Sequence, residues 1–388
     1  MLRRTTTAAA ADTIATLVLA RRSVRHPALS ALARADAVGG QFMNDKHASM
    51  STLPLSEARA LVTAAMTRAG HNAADAEIVA DHLIDCELRG LSFGGLARAL
   101  SVVERIRATP ARPGPIRIIA ETAVSATLDG GDQVGYVVGV RALELAMQKA
   151  RAHGLSVVGA RNTWFTGMFS YYLEQAAQAG FAGMIAGSGP AVAAPHGGTE
   201  GRFGTNPIAF GFPSTPTPVI WDIGTAAVMY GDVMLKARLG AGLKPDQAYD
   251  ADGAPTLDPT AALNGAFGVW GGHKGSGLAM VVQLLGMMTG AAAAPPGISD
   301  VGLFIVLVDP AVLTDAADYR RRVGAFADSV RATRPVEGGS AVRVPFDRSA
   351  ACREETLRRG TIDVPEAVAA ALRREAGLAE IEEGTVRG

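Results

Sequence analysis

Gly271-Gly272-His273-Lys274-Gly275-Ser276-Gly277-Leu278-Ala279-Met280 sets four glycines around one lysine, and an apolar run through Leu285 follows at once. Glycine lets a backbone turn sharply and approach a ligand closely, because no Cβ stands in the way. Lysine adds a point charge with three donors. The start of the following helix contributes free N–H groups and the positive end of its dipole. Together these suit a clamp for an anion, most simply the phosphates of a nucleotide cofactor. The plainer reading is a glycine-rich loop with a solvated lysine. The stretch alone leaves both open.

Around it lies a chain of 388 residues, 48% apolar, long enough for two or three domains and able to bury a large core. Its 37 basic and 37 acidic residues balance, which gives no reason to expect nucleic acid or an anionic membrane as partner. Cys86 and Cys352 lack metal-site spacing and read as reduced thiols of a cytoplasmic protein. Residues 1–49, rich in Arg, Ala, Ser and Thr without apolar periodicity, superficially suggest a targeting peptide. They are expected to be an extension, disordered or not native, with the working start near Met43 or Met50. No apolar stretch is long enough for a membrane span. Leu278 to Ala294 comes nearest and is expected to be a buried helix ending near Gly290.

Leu55–Gly70 and Ala73–Leu88 show helical spacing, with His82 on the apolar stripe of the second and expected at the core edge. A further helix runs through Ile106. Ile116–Ile119 and Ala123–Leu128 read as strands, and Asp129-Gly130-Gly131-Asp132 as a turn. Val137–Ala152 is helical with Gly154 as its stop. Leu155–Ala160, a helix over Tyr171–Ala179, and Gly183–Ala186 continue the alternation that marks an α/β domain. Ser188–Pro218 shifts to Gly, Pro, Thr and Ser. Val219–Ile223 is a strand carrying Asp222, Tyr230–Leu239 a helix and Val301–Val308 a buried strand. Helices are expected near Ala311–Ala332 and Val364–Glu375.

No Gly-x-Gly-x-x-Gly follows a strand, and no Walker A sequence or Gly-x-Ser-x-Gly elbow occurs. The seven histidines form no metal-ligand spacing. Several segments, however, resemble the malate/L-lactate dehydrogenase family, whose cofactor domain is not a Rossmann fold. They are Leu88-Arg89-Gly90 with Arg98, Gly204-Thr205-Asn206-Pro207 with Ile208-Ala209-Phe210, Asp222 at a strand end, Asp252-Gly253-x-Pro255-Thr256-x-Asp258-Pro259, and Gly271–Leu278. They keep family order from about Leu55 to Thr289, and the nearest subgroup is the delta1-piperideine-2-carboxylate and pyrroline-2-carboxylate reductases.

The resemblance implies an α/β protein of mixed sheets and flanking helices. Its non-Rossmann NAD(P)-binding domain is expected over 119–299, and a helical domain for substrate and dimerisation is built from 50–118 and 300–388. It further implies a homodimer passing hydride between NAD or NADP (NADPH favoured) and a small 2-oxo or cyclic 2-imino acid. Ser188, Gly204, Thr205, Asn206, Asp222, Ile223, Gly224, His273, Lys274 and Gly275 correspond to cofactor contacts. Arg98 corresponds to the arginine that holds the substrate carboxylate, a task its planar fork suits. A surface position on a helix is the alternative for Arg98.

Two departures bear on the chemistry. Where the family carries Ser-His-Gly before that arginine, this chain has Phe93-Gly94-Gly95, and Phe165 stands where a second histidine is usual. Hydride addition to a ketone leaves an alkoxide that needs a positioned acid, whereas an imine can enter already protonated. The losses fit an imine substrate, a replacement acid or a loss of activity. Candidate replacements are Thr166, Tyr171, Tyr172 and His196. The rival reading is a catalytically silent nucleotide-binding relative with a structural or regulatory role.

Overall fold

Leu303–Val308, LFIVLV, has no polar side chain, and such a run belongs where a sheet is covered on both faces. The computed structural model, which describes residues 49–109 and 112–378, puts it at the centre of a seven-stranded mixed sheet. Expectations for the N-terminal extension therefore lie, up to residue 48, outside the described residues. Numbered along the chain, the strands are β1 (Met50–Pro54), β2 (Arg117–Glu121), β3 (Ser125–Val134), β4 (Leu155–Trp164), β5 (Ala182–Gly187), β6 (Ile208–Phe212), β7 (Val219–Ile223), β8 (Ala248–Tyr249), β9 (Ala266–Phe267), β10 (Leu303–Val308) and β11 (Thr361–Pro365). The helices are α1 (Leu55–Arg68), α2 (Ala73–Leu88), α3 (Leu96–Ala108), α4 (Gly135–His153), α5 (Phe169–Gln178), α6 (Tyr230–Leu239), α7 (Pro259–Asn264), α8 (His273–Met288), α9 (Ala316–Arg331), α10 (Asp347–Arg359) and α11 (Glu366–Ala376).

The sheet order is β2-β3-β4-β10-β5-β6-β7. Only β3 and β4 pair in parallel, and α4 is the crossover that a parallel pair requires. α4 stops at Gly154, in the left-handed conformation, as its sequence indicates. One face of the sheet packs Val158, Ile185, Ala209 and Ile305 against α4 and α5. The other packs Ala186, Ile208 and Phe304 against Val282 of α8. A separate core joins α1, α2, α3 and α11, and the antiparallel pair β1–β11 ties residues 50–54 to 361–365.

Four expectations are corrected. Asp129–Asp132 does not reverse the chain. Asp129 accepts the Gly131 N–H (2.9 Å) and the Asn162 side-chain N–H (2.7 Å), making an irregularity within the longer β3. His82 lies in the core itself, fully buried among Tyr136, Tyr171 and Tyr172. β10, which falls past residue 299, is the central strand of the sheet rather than part of the helical end. Finally, α8 is not buried all round. Ala279, Val282 and Gly286 face the protein, while Met280, Val281, Leu284, Met287 and Met288 are 44–71% exposed along the opposite side.

Candidate active site

A cavity of about 540 Å³ opens between the helical core and the sheet, a size ordinary for small-molecule sites. Its lining includes Phe93, Gly94 and Arg98 from the helical side and Phe165 and Thr166 from the β4–α5 connection. Ser188, Thr205, Asn206, Asp222, Ile223 and Gly224 come from strand ends and loops of the sheet. Most of the residues singled out in the sequence thus converge on one space.

Arg98 reaches it because α3 starts where it does. Glu87, at the end of α2, accepts the Leu96 N–H (2.7 Å) and so satisfies the first turn of α3. A Cβ at position 95 would lie 2.2 Å from the Glu87 carboxylate and would displace it from the Leu96 N–H. Burial pushes the Glu87 carboxyl up to about 7, against the lowering effect of that amide bond. Two residues into the helix, Arg98 is 9% exposed, which excludes the surface-helix reading. Its guanidinium lies 4.4 Å from the centroid of the Phe165 ring. Phe165 turns its ring there from a left-handed backbone (φ 52°), a conformation that non-glycine residues hold only under constraint. Arg98 Nη1 is buried without a partner among the described residues. Burial lowers the Arg98 pKa, and the Tyr136 and Tyr230 phenols oppose that shift.

The sheet side is built on backbone contacts. Ser188 directly follows β5, its N–H donating to the Gly302 carbonyl (2.9 Å) and its Oγ accepting the Gly302 N–H (3.2 Å). Asp222 accepts the Ser170 N–H (2.7 Å) in the first turn of α5. Burial nevertheless pushes its carboxyl up to about 6. Asn206 pins its loop to α8, its Nδ2 donating to the Ala279 carbonyl (2.7 Å) and to Gln283 Oε1 (2.9 Å). Its Oδ1 remains buried and unpaired among the described residues, and the Gly204 N–H also donates to Gln283 (3.3 Å).

The glycine–lysine stretch forms the first turns of α8 and lies outside this cavity. Gly271 and Gly272 have φ of 63° and 60°, and a Cβ on Gly275 would sit 1.8 Å from the Trp270 carbonyl oxygen. His273 and Lys274 are exposed there. His196 joins them, its ring centroid 6.4 Å from that of His273 and its N–H donating to Ser276 Oγ (3.1 Å). Tyr171 also falls away, since it does not line the cavity and its hydroxyl donates to Asp81 (2.7 Å) of α2. Of the candidate proton donors, only Thr166 lines the cavity with Arg98.

Several cavity residues were not singled out from the sequence. Tyr136 and Tyr230 are two, and Pro345, Phe346, Arg348 and Ser349 ahead of and within α10 are others. α10 is tied to α2 by Arg353, which reaches Asp85 (3.0 Å), while Arg89, paired with Asp85 (2.7 Å), stacks on Phe346 (4.9 Å) just ahead of α10. Tyr136 opens a helix directly after a strand, where ligand-facing residues of α/β folds gather. That position was the available signal.

The cavity suits a nicotinamide cofactor on its own features. Small residues at 187–189 and 224 line it, and two buried polar atoms of its lining residues, Asn206 Oδ1 and Arg98 Nη1, are without a partner among the described residues. Among the described residues no His, Cys, Asp or Glu cluster could hold a metal, and no helix is long and apolar enough to cross a membrane.

Comparison with known proteins agrees. Residues 53–373 match the profile of the malate/L-lactate dehydrogenase family. The L-sulfolactate dehydrogenase of Methanothermobacter thermautotrophicus is 36% identical over 268 residues, 66% of this chain and 78% of that protein. The Delta(1)-pyrroline-2-carboxylate/Delta(1)-piperideine-2-carboxylate reductase of Pseudomonas aeruginosa is 30% identical over 343 residues, 82% of this chain and 97% of that protein. Among solved structures, a dehydrogenase from Sinorhizobium meliloti superposes with a TM-score of 0.79 at 30% identity, covering 85% of this chain and 99% of that one.

Proposed function

The chain belongs to the malate/L-lactate dehydrogenase family of NAD(P)-dependent oxidoreductases, and from that premise we propose that it reduces a small 2-oxo acid or cyclic 2-imino acid held by its carboxylate on Arg98. The observation that carries this reading is the unpaired, buried Arg98 Nη1 in the cavity wall. A buried cation with an unused donor is unfavourable by itself and becomes favourable when an anion completes it. A carboxylate does so, and the Phe165 ring fixes the plane in which the guanidinium presents its fork.

The cofactor supplies a hydride. Ser188, Thr205, Asn206 and the Asp222–Gly224 strand end are the residues that would hold it along the sheet-side wall, with Lys274, between His273 and Gly275 at the start of α8, offering positive charge to its phosphates. NADPH, with one more phosphate than NADH, is the favoured form on that charge. Phe93, Phe165 and Tyr136 present apolar surface around Arg98, which excludes water from the reacting carbon and strengthens the carboxylate contact. Cyclic imino acids suit the aromatic walls, because a flat iminium gains cation–π contact of about 0.5–2 kcal/mol from a well-placed ring.

We propose in addition that two chains associate through the exposed stripe of α8. Met280, Val281, Leu284, Met287 and Met288 form one apolar strip that a single chain leaves in water. The direct test of the function is NADPH and NADH oxidation with a panel of 2-oxo and cyclic 2-imino acids. Turnover of acids, and not of their esters, supports it. Absence of turnover with every member contradicts it.

A further inference from the structure

We infer that the Tyr136 hydroxyl is the proton donor for 2-oxo acid reduction in this chain, the role left open by Gly94 and Phe165. The inference rests on the proposed reduction of a carboxylate-bearing substrate at Arg98 and adds the acid that a ketone requires.

Tyr136 is 2% exposed, yet it lines the cavity, as do Arg98, Phe165 and Thr166. Among the described residues its hydroxyl makes no hydrogen bond, and it is not one of the fully enclosed polar atoms. The neighbouring buried tyrosine differs, for Tyr172 donates to the Thr166 carbonyl (2.9 Å). The Tyr136 ring is wedged in place. It lies 4.7 Å from the His82 ring, and a Cβ on Gly167 would come within 2.6 Å of it. His82 is locked in turn by the Met168 N–H donating to its Nε2 (2.8 Å), and burial pushes its pKa down to about 3. It is therefore a neutral support for Tyr136 and no acid itself. Burial raises the Tyr136 pKa, and the Arg98 charge opposes that shift. A substrate whose carboxylate lies on Arg98 is held in the cavity that Tyr136 also lines.

The step balances. Hydride from the reduced nicotinamide forms a C–H bond at C2, the C=O π pair moves to oxygen, and the cofactor is left oxidised. The phenol O–H bond breaks as the new alkoxide takes its proton, and solvent returns a proton to the phenolate. Burial raises the Tyr136 pKa, so the phenol stays protonated through the neutral range yet remains a stronger acid than an alcohol. Arg98 stabilises the phenolate in the interval. Thr166, the other hydroxyl beside Phe165, is far the weaker acid. Asp222, the carboxyl in the cavity, accepts the Ser170 N–H through one oxygen and is the acid that the test sets against Tyr136.

The test compares Tyr136→Phe, Thr166→Val and Asp222→Asn on one 2-oxo acid and one cyclic 2-imino acid. It is joined by calorimetric binding of oxamate without cofactor and by melting temperature. Tyr136→Phe is expected to lower kcat on the oxo acid about 100-fold or more. Imine reduction should stay within about threefold, oxamate affinity within about tenfold, and the melting temperature unchanged. Equal losses on both substrates, no loss on the oxo acid, or a selective oxo-acid loss in Thr166→Val or Asp222→Asn instead would overturn the assignment. A wild-type protein that turns over neither substrate overturns the parent reading, and this one with it; an active wild type with an unselective Tyr136→Phe overturns only this one.

Discussion

A guanidinium buried against an aromatic ring with one nitrogen unbonded is held at a cost that a bound carboxylate relieves. Arg98→Met is accordingly expected to raise KM for acid substrates roughly 10- to 100-fold, about 1.5–3 kcal/mol, while leaving ester or amide analogues nearly unchanged. Thermal stability should hold or rise, because an apolar side chain of similar length removes an uncompensated buried charge. Equal KM effects on acids and esters would remove Arg98 from substrate recognition. The family motifs led to Arg98, Ser188, Thr205 and Asp222, and the search for a replacement acid to Thr166, and these line one cavity. Side-chain direction was not legible in the same way. Tyr171 and Tyr172 are adjacent on α5, and the turn of about 100° between neighbours sends the first to Asp81 and the second to the Thr166 carbonyl. Tyr136 was passed over because an aromatic residue in an apolar helix start reads as core, and only tertiary packing reveals its open hydroxyl.

At the level of elements, the junction of α2 with α3 has a pH signature. The Glu87 carboxyl, near 4.5 when solvated, is pushed up to about 7 by burial in the folded chain. Between those values the folded state keeps a proton that the unfolded chain releases, so stability present below about 4.5 is lost as pH rises toward 7. Glu87→Gln keeps an acceptor for the Leu96 N–H and carries no charge. Its stability relative to wild type should therefore be greater at pH 8 than at pH 5, by up to about 3 kcal/mol. Denaturant titration at both pH values measures this, and a pH-independent difference would show that Glu87 is not desolvated. At the start of α8, Lys274→Ala should weaken NADPH binding about fivefold, on the order of 1 kcal/mol for an exposed ion contact, with the difference shrinking as salt is added. Unchanged affinity would reduce the lysine to a solvated loop residue. Most helices and sheet strands were legible because their apolar periods are intact, and Gly154 stops α4 as read. β1 and β11 were not, since each is five residues long and exists through a pairing more than 300 positions away along the chain.

On the scale of the whole molecule, the apolar run of α8 is explained only by two surfaces. One meets the sheet through Val282, and the other shows Met280, Leu284 and Met288 to the outside. The sequence reads both as core, because hydropathy alone does not separate burial within a chain from burial between chains. Leu284→Asp is expected to weaken self-association tenfold or more, about 1.4 kcal/mol, in sedimentation equilibrium, with the monomer still folded. A wild-type protein that sediments as a monomer would refute this interface. The central claim joins family, cavity and Arg98 in one reaction. Its most direct test is the initial rate of NADPH and NADH oxidation with a 2-oxo acid, a cyclic 2-imino acid and the methyl ester of each, in wild type and in Arg98→Met. The account expects wild type to reduce at least one acid far faster than its ester and Arg98→Met to lose that distinction. Oxidation of neither cofactor with any substrate, or acids and esters reduced alike by wild type, would contradict it.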